Sequence, residues 1–292
     1  EIAALVAPLP KLPVTRSDLA LPQALAADMG MISTMAYDSK AGVLYLLQRG
    51  PKADPIVAVD RTGKVLRSWG KGLYKMPHGI RIDPSGNIWT TDSVNSTVLK
   101  FSPQGEKLLA IDVGGQPAPG VNGTTDIAFA PNGHVFIADG YGNARILEYD
   151  AGGKLLRTFG EHGTGPSQFH IPHAIVIDRD GIMYVADREN GRIERFDLAG
   201  KFLGEWGGFG KPMTLTLAAD GSLLVGTGYK NAAKQTPAWL AWVIKLDRKT
   251  GKPLGYIDVG DDAHAQEAID GDILTGGETA GISAVHIFRP AR

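Results

Sequence analysis

The chain has 292 residues, of which 43% are hydrophobic and 21% charged, as is typical of a globular domain with its own core. Its 30 basic and 31 acidic residues give a formal net charge of -1, and no run of like charges stands out, so the sequence argues against a nucleic-acid or anionic-membrane partner. There are no cysteines and no apolar stretch of transmembrane length, which excludes thiolate ligands and disulfides and predicts no membrane span.

Units of four short runs with alternating polarity recur along the chain, separated by turns rich in glycine, proline, aspartate and serine. In one unit these runs cover residues 126–133, 135–139, 145–149 and 154–159. Four antiparallel strands per unit make one propeller blade, and no helical periodicity of convincing length appears. The sequence therefore predicts an all-β propeller.

Counting the units gives six blades in a single domain, residues 1–292. We place the blades near residues 31–70, 76–114, 124–160, 171–207, 211–260 and 263–292. The sixth unit ends after its third strand, at residues 284–288. We expect the segment before residue 31 to supply the fourth strand and close the ring.

Three histidines begin the first strand of alternate blades, which are blades two, four and six: His78, His173 and His264. Blades three and five carry Thr125 and Met213 at the equivalent positions. Alternate blades of a six-membered ring lie a third of a turn apart, so the three imidazoles should converge on the axis. One such histidine could be a relic of the repeat, but the alternation favours a metal site with an open coordination position. Neutral imidazoles suit zinc, copper, iron or nickel rather than calcium.

Loops that follow the second strand of a blade should face the same end of the channel as the histidines. They carry Arg49 in blade one and Arg188 in blade four, which lie opposite each other and offer guanidinium groups to a carboxylate. The loop of blade three carries Tyr141 between two glycines, where a phenol can act as a base. The alternatives are surface or structural arginines and a packing tyrosine.

The units resemble the NHL repeat, most typically at residues 185–193. The chain as a whole, from about residue 30 onwards, resembles the peptidyl-α-hydroxyglycine α-amidating lyase family. The resemblance rests on Gln48-Arg-Gly50, Leu73-Tyr-Lys-Met-Pro-His-Gly-Ile80, Asp139-Gly-Tyr-Gly-Asn-Ala-Arg-Ile146, Gln168-Phe-His-Ile-Pro-His173 and Ala186-Asp-Arg-Glu-Asn-Gly-Arg-Ile193. It implies a six-bladed propeller with an axial zinc held by the three histidines His78, His173 and His264. It also implies an active-site arginine at Arg49, an active-site tyrosine at Tyr141 and a further site arginine at Arg188.

The third histidine motif departs from the family pattern. The family typically has Met-Pro-His-Asp, whose aspartate helps to bind a structural calcium, whereas this chain has Asp262-Ala-His-Ala265. The implied calcium site therefore lacks one of its ligands, and the methionine beside the zinc is absent. The disulfides of the animal enzymes are absent too. We interpret these differences as those of a bacterial relative.

The expected function is a zinc-dependent lyase that breaks an N-(α-hydroxy)glycine-type compound into an amide and glyoxylate. Tyr141 or a hydroxide at the metal would take the proton of the hydroxyl group, and Arg49 and Arg188 would hold the carboxylate. Two alternatives stay open. One is a metal-dependent hydrolase of esters, lactones or amides on the same propeller, and the other is a non-catalytic NHL binding module.

The expected partner is a small molecule or peptide that carries a carboxylate, and we expect the protein to be a monomer. Residue 1 is Glu rather than Met. We interpret the chain as a processed form from which a secretion signal has been removed. This interpretation predicts a periplasmic or secreted protein.

Overall fold

The computed structural model describes residue 4 and residues 6–114, 123–230, 239–260 and 263–291. The described chain consists mainly of β-strands, with a short helix, α1, at Gln23–Asp28. None of the described helices has the length and apolar character needed to cross a membrane.

The strands, numbered in chain order, form four-stranded antiparallel sheets that correspond to the predicted blades. The first strand is β1 (Val14–Asp18). Blade one contains β2 (Ile32–Asp38), β3 (Val43–Gln48), β4 (Ile56–Val59) and β5 (Val65–Trp69). Blade two contains β6 (Pro77–Ile82), β7 (Ile88–Asp92), β8 (Thr97–Phe101) and β9 (Lys107–Asp112). Blade three contains β10 (Asp126–Phe129), β11 (Val135–Asp139), β12 (Arg145–Tyr149) and β13 (Leu155–Phe159).

A short parallel pair, β14 (Glu161–His162) and β15 (Gln168–Phe169), lies in the connection between blades three and four. Blade four contains β16 (Pro172–Ile177), β17 (Met183–Asp187), β18 (Arg192–Phe196) and β19 (Phe202–Gly207). Blade five contains β20 (Lys211–Leu217), β21 (Leu223–Lys230), β22 (Trp239–Leu246) and β23 (Pro253–Gly260). The last three strands are β24 (Gln266–Ile269), β25 (Asp272–Thr279) and β26 (Ile282–Pro290).

The N-terminal strand completes the sixth blade, as the sequence predicts. In this sheet the strand order is β1-β26-β25-β24, and β1 runs antiparallel to β26 from the pair Val14 and Pro290 to the pair Asp18 and His286. The backbone N–H of Leu19 also donates to the carbonyl oxygen of Val285, at 2.8 Å. The two ends of the chain therefore close one sheet, and the prediction of a six-bladed ring closed by the N-terminal segment is confirmed.

Apolar clusters fill the spaces between neighbouring blades all the way round the ring. One cluster joins blade six to blade one through Leu274 and Val285 on one side and Ile32 and Met35 on the other. Comparable clusters, within the described part of the chain, join blades one and two, two and three, three and four, four and five, and five and six. Each fully buried aliphatic or aromatic side chain contributes about 1.5–3 kcal/mol, so the blade-to-blade packing holds the inner strands in place.

The inner strands of four blades begin with an irregularity that faces the channel. Their registers shift between Ile32 and Thr34, Pro77 and Ile80, Pro172 and Ala174, and Pro212 and Thr214. The extra residue in a β-bulge changes the direction of its own side chain and backbone carbonyl. The residues within these shifts are Ser33, His78, Gly79, His173 and Met213, so the bulges lie where the sequence predicts the metal site.

Candidate active site

The three predicted histidines meet on the axis of the ring. The centroids of their rings are 4.8 Å apart for His78 and His173, 5.1 Å for His78 and His264, and 5.0 Å for His173 and His264. One ligand atom from each ring lies within 4.8 Å of the others. His78 and His173 are each 2% exposed, so these polar rings lie inside the channel rather than on the surface.

Each imidazole is oriented by a backbone carbonyl of the blade that follows it. Nδ1 of His78 lies 2.8 Å from the carbonyl oxygen of Thr125, Nδ1 of His173 lies 2.7 Å from that of Met213, and Nδ1 of His264 lies 2.8 Å from that of Ser33. A carbonyl oxygen only accepts, so Nδ1 must donate and carries the proton in all three rings. The odd-numbered blades thus supply the acceptors that leave Nε2 of each histidine as a lone-pair donor.

One glycine makes this arrangement sterically possible. A Cβ atom at Gly79 would lie 2.6 Å from the carbonyl oxygen of Thr125, which is the acceptor for His78. A side chain at this position would therefore push the carbonyl away from the imidazole. The glycine after His78 is required by the close approach of blades two and three.

The environment keeps the three imidazoles neutral. Burial, which penalises the charged form, is the main reason that the pKa values of His78 and His173 lie well below the usual value. Burial also lowers the pKa of His264 to about 4, with a further contribution from the positive charge of Arg49. Neutral imidazoles with unprotonated Nε2 atoms are the form in which histidine binds a metal.

The hydroxyl group of Tyr141 contacts two of the three histidines. Its hydroxyl group is 3.1 Å from Nε2 of His78 and 3.0 Å from Nε2 of His173. A phenol has a single proton, so it donates to one of these nitrogens at a time. The tyrosine therefore borders the same point in the channel at which the three Nε2 atoms converge.

The loop of blade three is shaped to bring Tyr141 to this point. A Cβ atom on Gly140 would collide with the carbonyl oxygen of Pro172, so only glycine allows the loop to lie so close to blade four. The carboxylate of Asp139 accepts hydrogen bonds from Asn143 at 3.0 Å and from Arg145 at 2.8 Å, which closes the loop at its base. The residue type at each of these positions thus holds the phenol at the channel.

Arg188 is presented by a loop of the same construction in blade four. The carboxylate of Asp187 accepts hydrogen bonds from Asn190 at 2.6 Å and from Arg192 at 2.8 Å. The guanidinium group of Arg188 contacts the Tyr141 hydroxyl at 3.4 Å and lies 5.5 Å from the centre of its ring. Nε of the same guanidinium group donates a hydrogen bond to Oε1 of Glu189 at 2.9 Å.

The backbone just before His173 is strained. Ile171 has a φ of 63°, a conformation that is costly for a β-branched residue, more so because a proline follows it. Its carbonyl oxygen accepts the backbone N–H of Arg188 at 3.1 Å, and that of His170 accepts the N–H of Glu189 at 3.0 Å. These two hydrogen bonds connect the segment before His173 to the loop of Arg188. They help to hold Ile171 in a conformation that costs of the order of 1–3 kcal/mol.

Arg49 is positioned by residues of blades one and two. Its Nε donates to the carbonyl oxygen of Pro77 at 3.0 Å, and one of its terminal nitrogens donates to the hydroxyl of Ser33 at 2.8 Å. Arg49, Tyr141, Arg188 and His264 line one cavity of about 440 Å³, and Nε2 of His78 and Nε2 of His173 contact the Tyr141 hydroxyl. The structure therefore brings all six predicted site residues together, and their chemical roles stay predictions.

Ser33 is a site residue that the sequence analysis did not identify. It is fully buried, its carbonyl oxygen accepts from His264, and its hydroxyl donates to the carbonyl oxygen of His78 at 2.8 Å while it accepts from Arg49. It occupies in blade one the position that the histidines occupy in blades two, four and six. An alignment of all six blade starts would have pointed to it, although serine gives no chemical signal by itself.

A structural calcium of the kind that the resemblance implies does not fit the described residues. The residue after His264 is Ala265, which is fully buried and offers no ligand. Below the histidines the channel contains Arg81, which makes a two-pronged ion pair with Asp126, at 2.9 Å from Nε to Oδ1 and 2.6 Å from the terminal nitrogen to Oδ2. A guanidinium cation already neutralises this carboxylate, whereas calcium requires six to eight oxygen ligands.

Family comparisons agree with this architecture. A sequence model of the NHL repeat matches residues 74–101, which include His78. A model described as a 6-bladed beta-propeller matches residues 123–207, which include Tyr141, His173 and Arg188.

Individual proteins give more specific similarities. The chain is 39% identical over 149 residues to a probable peptidyl-alpha-hydroxyglycine alpha-amidating lyase of Caenorhabditis elegans, covering 48% of this chain and 42% of the nematode protein. It is 30% identical over 209 residues to NHL repeat-containing protein 3 of Mus musculus, covering 66% and 60% of the two chains. The matched regions thus cover less than two thirds of either relative. Virginiamycin B lyase from Staphylococcus aureus has the same fold, with a TM-score of 0.64 at 13% identity, covering 96% of this chain and 100% of that one.

Proposed function

The chain is homologous to peptidyl-α-hydroxyglycine α-amidating lyases, and we propose that it is a metal-dependent lyase that cleaves an N-(α-hydroxy)glycine-type substrate into an amide and glyoxylate. One observation carries this proposal: a cluster of three neutral imidazoles adjoins a cavity that is lined by one of them, by a phenol and by two guanidinium groups. Such a set contains a metal-binding group, a proton acceptor and a carboxylate-binding pair.

The three histidines fit a transition metal. Nε2 of His78, His173 and His264 would hold it, because the three Nδ1 atoms are occupied by backbone carbonyls. Three nitrogen ligands with room for a fourth are typical of catalytic zinc, although another divalent transition metal is compatible with imidazole. When bound there, the ion would supply Lewis-acid chemistry toward an oxygen of the substrate.

Tyr141 is the residue in position to move the proton. In the proposed reaction the substrate's α-hydroxyl loses its proton, its oxygen forms the carbonyl of glyoxylate, and the bond between Cα and the amide nitrogen breaks. The nitrogen gains the proton, so atoms and charge balance and no oxidant or reductant takes part. We assign proton removal to Tyr141, because its hydroxyl borders the point where the three Nε2 atoms converge.

Arg49 and Arg188 are the residues that would bind the substrate's carboxylate. They come from blades one and four, on opposite sides of the ring, and both line the cavity. A guanidinium group stays protonated and matches a carboxylate with two parallel hydrogen bonds, so these residues bind and stabilise charge rather than remove protons. Glu189 and Ser33 hold the two guanidinium groups in place.

Product analysis tests the proposal. We expect the purified protein, supplied with zinc, to release glyoxylate and acetamide in equal amounts from N-acetyl-α-hydroxyglycine, above the rate of a protein-free blank. An amide hydrolase at the same site would instead release acetate and α-hydroxyglycine, which decomposes to ammonia and glyoxylate, so acetamide is the product that distinguishes the lyase. An esterase or lactonase would release neither acetamide nor glyoxylate. Release of glyoxylate at the rate of the blank would contradict the lyase assignment.

A second candidate is a non-catalytic binding propeller. The similarity to NHL repeat-containing protein 3, whose name gives no enzymatic activity, covers a larger share of this chain than the lyase match does and is the reason to test this candidate. This candidate requires no metal at the three histidines. A protein that retains no zinc after dialysis, and that turns over none of these substrates, would support it.

Three sequence-based predictions remain part of the proposal. These are the identity of the metal as zinc, a monomeric state and a periplasmic or secreted location. The substrate class, a small molecule or peptide with a carboxylate, follows from the assigned roles of Arg49 and Arg188.

A further inference from the structure

The lining of the cavity beside the three histidines has two chemically different parts. Arg49, Tyr141 and Arg188, from blades one, three and four, form the polar and cationic part. The other part is formed by blades five and six, and we call it the apolar wall. It consists of Met213, Thr227, Gly228, Ala241 and Ala263.

Several polar atoms of the apolar wall make hydrogen bonds within the protein. The hydroxyl of Thr227 donates its proton to the carbonyl oxygen of Phe209. The carbonyl oxygen of Met213 accepts Nδ1 of His173, and that of Ala263 accepts the hydroxyl of Thr214 at 3.2 Å. A ligand group that lies against this wall would therefore meet mainly carbon atoms.

Small residues give the wall its depth. Gly228 carries no side chain, and Ala241 and Ala263, which are 4% and 2% exposed, carry only a methyl group each. The whole cavity measures about 440 Å³, whereas a dry cavity of about 150 Å³ is enough for benzene. After a glyoxylate-sized group is bound at the arginines, space for a ring or a branched chain remains beside the wall.

From these features we infer that the preferred substrates carry an apolar, uncharged group on the amide nitrogen, such as an aromatic or branched acyl group. The inference rests on the proposed lyase function. With the substrate's carboxylate bound between Arg49 and Arg188, the apolar wall of blades five and six is the remaining surface for the substituent on the nitrogen. Against the described residues of the wall a charged substituent would lose its hydration without gaining an ion pair, whereas an apolar substituent gains free energy from burial.

The first test compares three substrates with the wild-type protein. We expect kcat/KM for N-phenylacetyl-α-hydroxyglycine to exceed that for N-acetyl-α-hydroxyglycine by at least about tenfold, and the N-succinyl compound to be the poorest. Equal values for the three compounds, or a preference for the succinyl compound, would overturn the inference while the lyase assignment stands. Absence of glyoxylate from all three would instead reject the proposed function.

The second test narrows the wall. Ala241→Leu places additional carbon atoms in the space assigned to the acyl group, so we expect it to lower kcat/KM for the phenylacetyl substrate by roughly tenfold or more and that for the acetyl substrate by no more than about threefold. Ala128→Leu is the matched control, because Ala128 is 5% exposed and lines a cavity at the opposite end of the channel. Equal losses for both substrates in Ala241→Leu would overturn the inference. If Ala241→Leu does not fold, the wild-type comparison decides.

Discussion

Replacing Tyr141 by phenylalanine is expected to lower kcat for glyoxylate release by at least about 100-fold, because positioned general bases contribute at least that much. The substitution removes a hydroxyl group that lies 3.0–3.1 Å from Nε2 of His173 and His78, and it leaves the ring itself in place. Metal content should stay at the wild-type level, since the three imidazoles and their backbone acceptors are unchanged. Steady-state kinetics and elemental analysis of the same sample measure the two effects separately.

Tyr184→Phe is the matched control. It also removes a buried tyrosine hydroxyl, but that hydroxyl donates to Asp178 in the body of blade four rather than at the channel. We expect this variant to lose some thermal stability and to keep kcat within about threefold of wild type. A loss of less than about tenfold in Tyr141→Phe would remove the tyrosine from the role of base.

Deleting residues 1–25 is expected to abolish cooperative folding or to lower Tm by more than about 10 °C. The deletion removes β1 and leaves β26 as an unpaired outer strand, whose backbone groups would be open to pairing with other chains. It also removes the carboxylate of Asp18, which lies 2.6 Å from Nδ1 of His286, an imidazole that is 1% exposed. Circular dichroism during heating, with light scattering to detect aggregation, measures the outcome.

A shorter deletion serves as the control. Removing residues 1–5 leaves β1 intact and keeps Val6, which packs in the cluster between blades four and five. We expect Tm to change by no more than about 2 °C. A fully folded protein that lacks residues 1–25 would show that the N-terminal strand is not needed to close the ring.

The arrangement of the blades and the positions of the three histidines could be predicted because both leave a periodic signal in side chains. Each blade repeats its alternation and turn residues, and His78, His173 and His264 interrupt that repetition only in alternate blades. The missing strand of blade six predicted closure by the N-terminal segment for the same reason. Arg49, Arg188 and Tyr141 follow from the position of their loops in the repeat.

The parts that could not be predicted are backbone features. The carbonyl oxygens of Thr125, Met213 and Ser33 fix the proton positions of the three imidazoles, but any residue has a carbonyl group. The bulges that direct these groups inward and the strained φ of Ile171 depend on how neighbouring blades pack. Helix α1 has six residues, too few for a periodic signal to be recognised.

The Arg81–Asp126 ion pair shows why a resemblance alone would mislead about calcium. The family motif predicts a carboxylate after the third histidine, and the sequence already shows Ala265 in its place. Only the structure shows that a guanidinium group from blade two neutralises the carboxylate of blade three inside the channel. The guanidinium group of Arg81 therefore neutralises the Asp126 carboxylate, which is not available to bind calcium.

Elemental analysis of the purified protein beside His173→Ala tests the three-histidine metal site most directly. After incubation with zinc and dialysis, wild type should retain about one equivalent of metal per chain, and His173→Ala less than roughly 0.1 equivalent, because loss of even a supporting residue weakens metal binding 10- to 100-fold. His170→Ala, an exposed histidine three residues away, is the control and should match wild type. Equal metal content in wild type and His173→Ala would contradict the account.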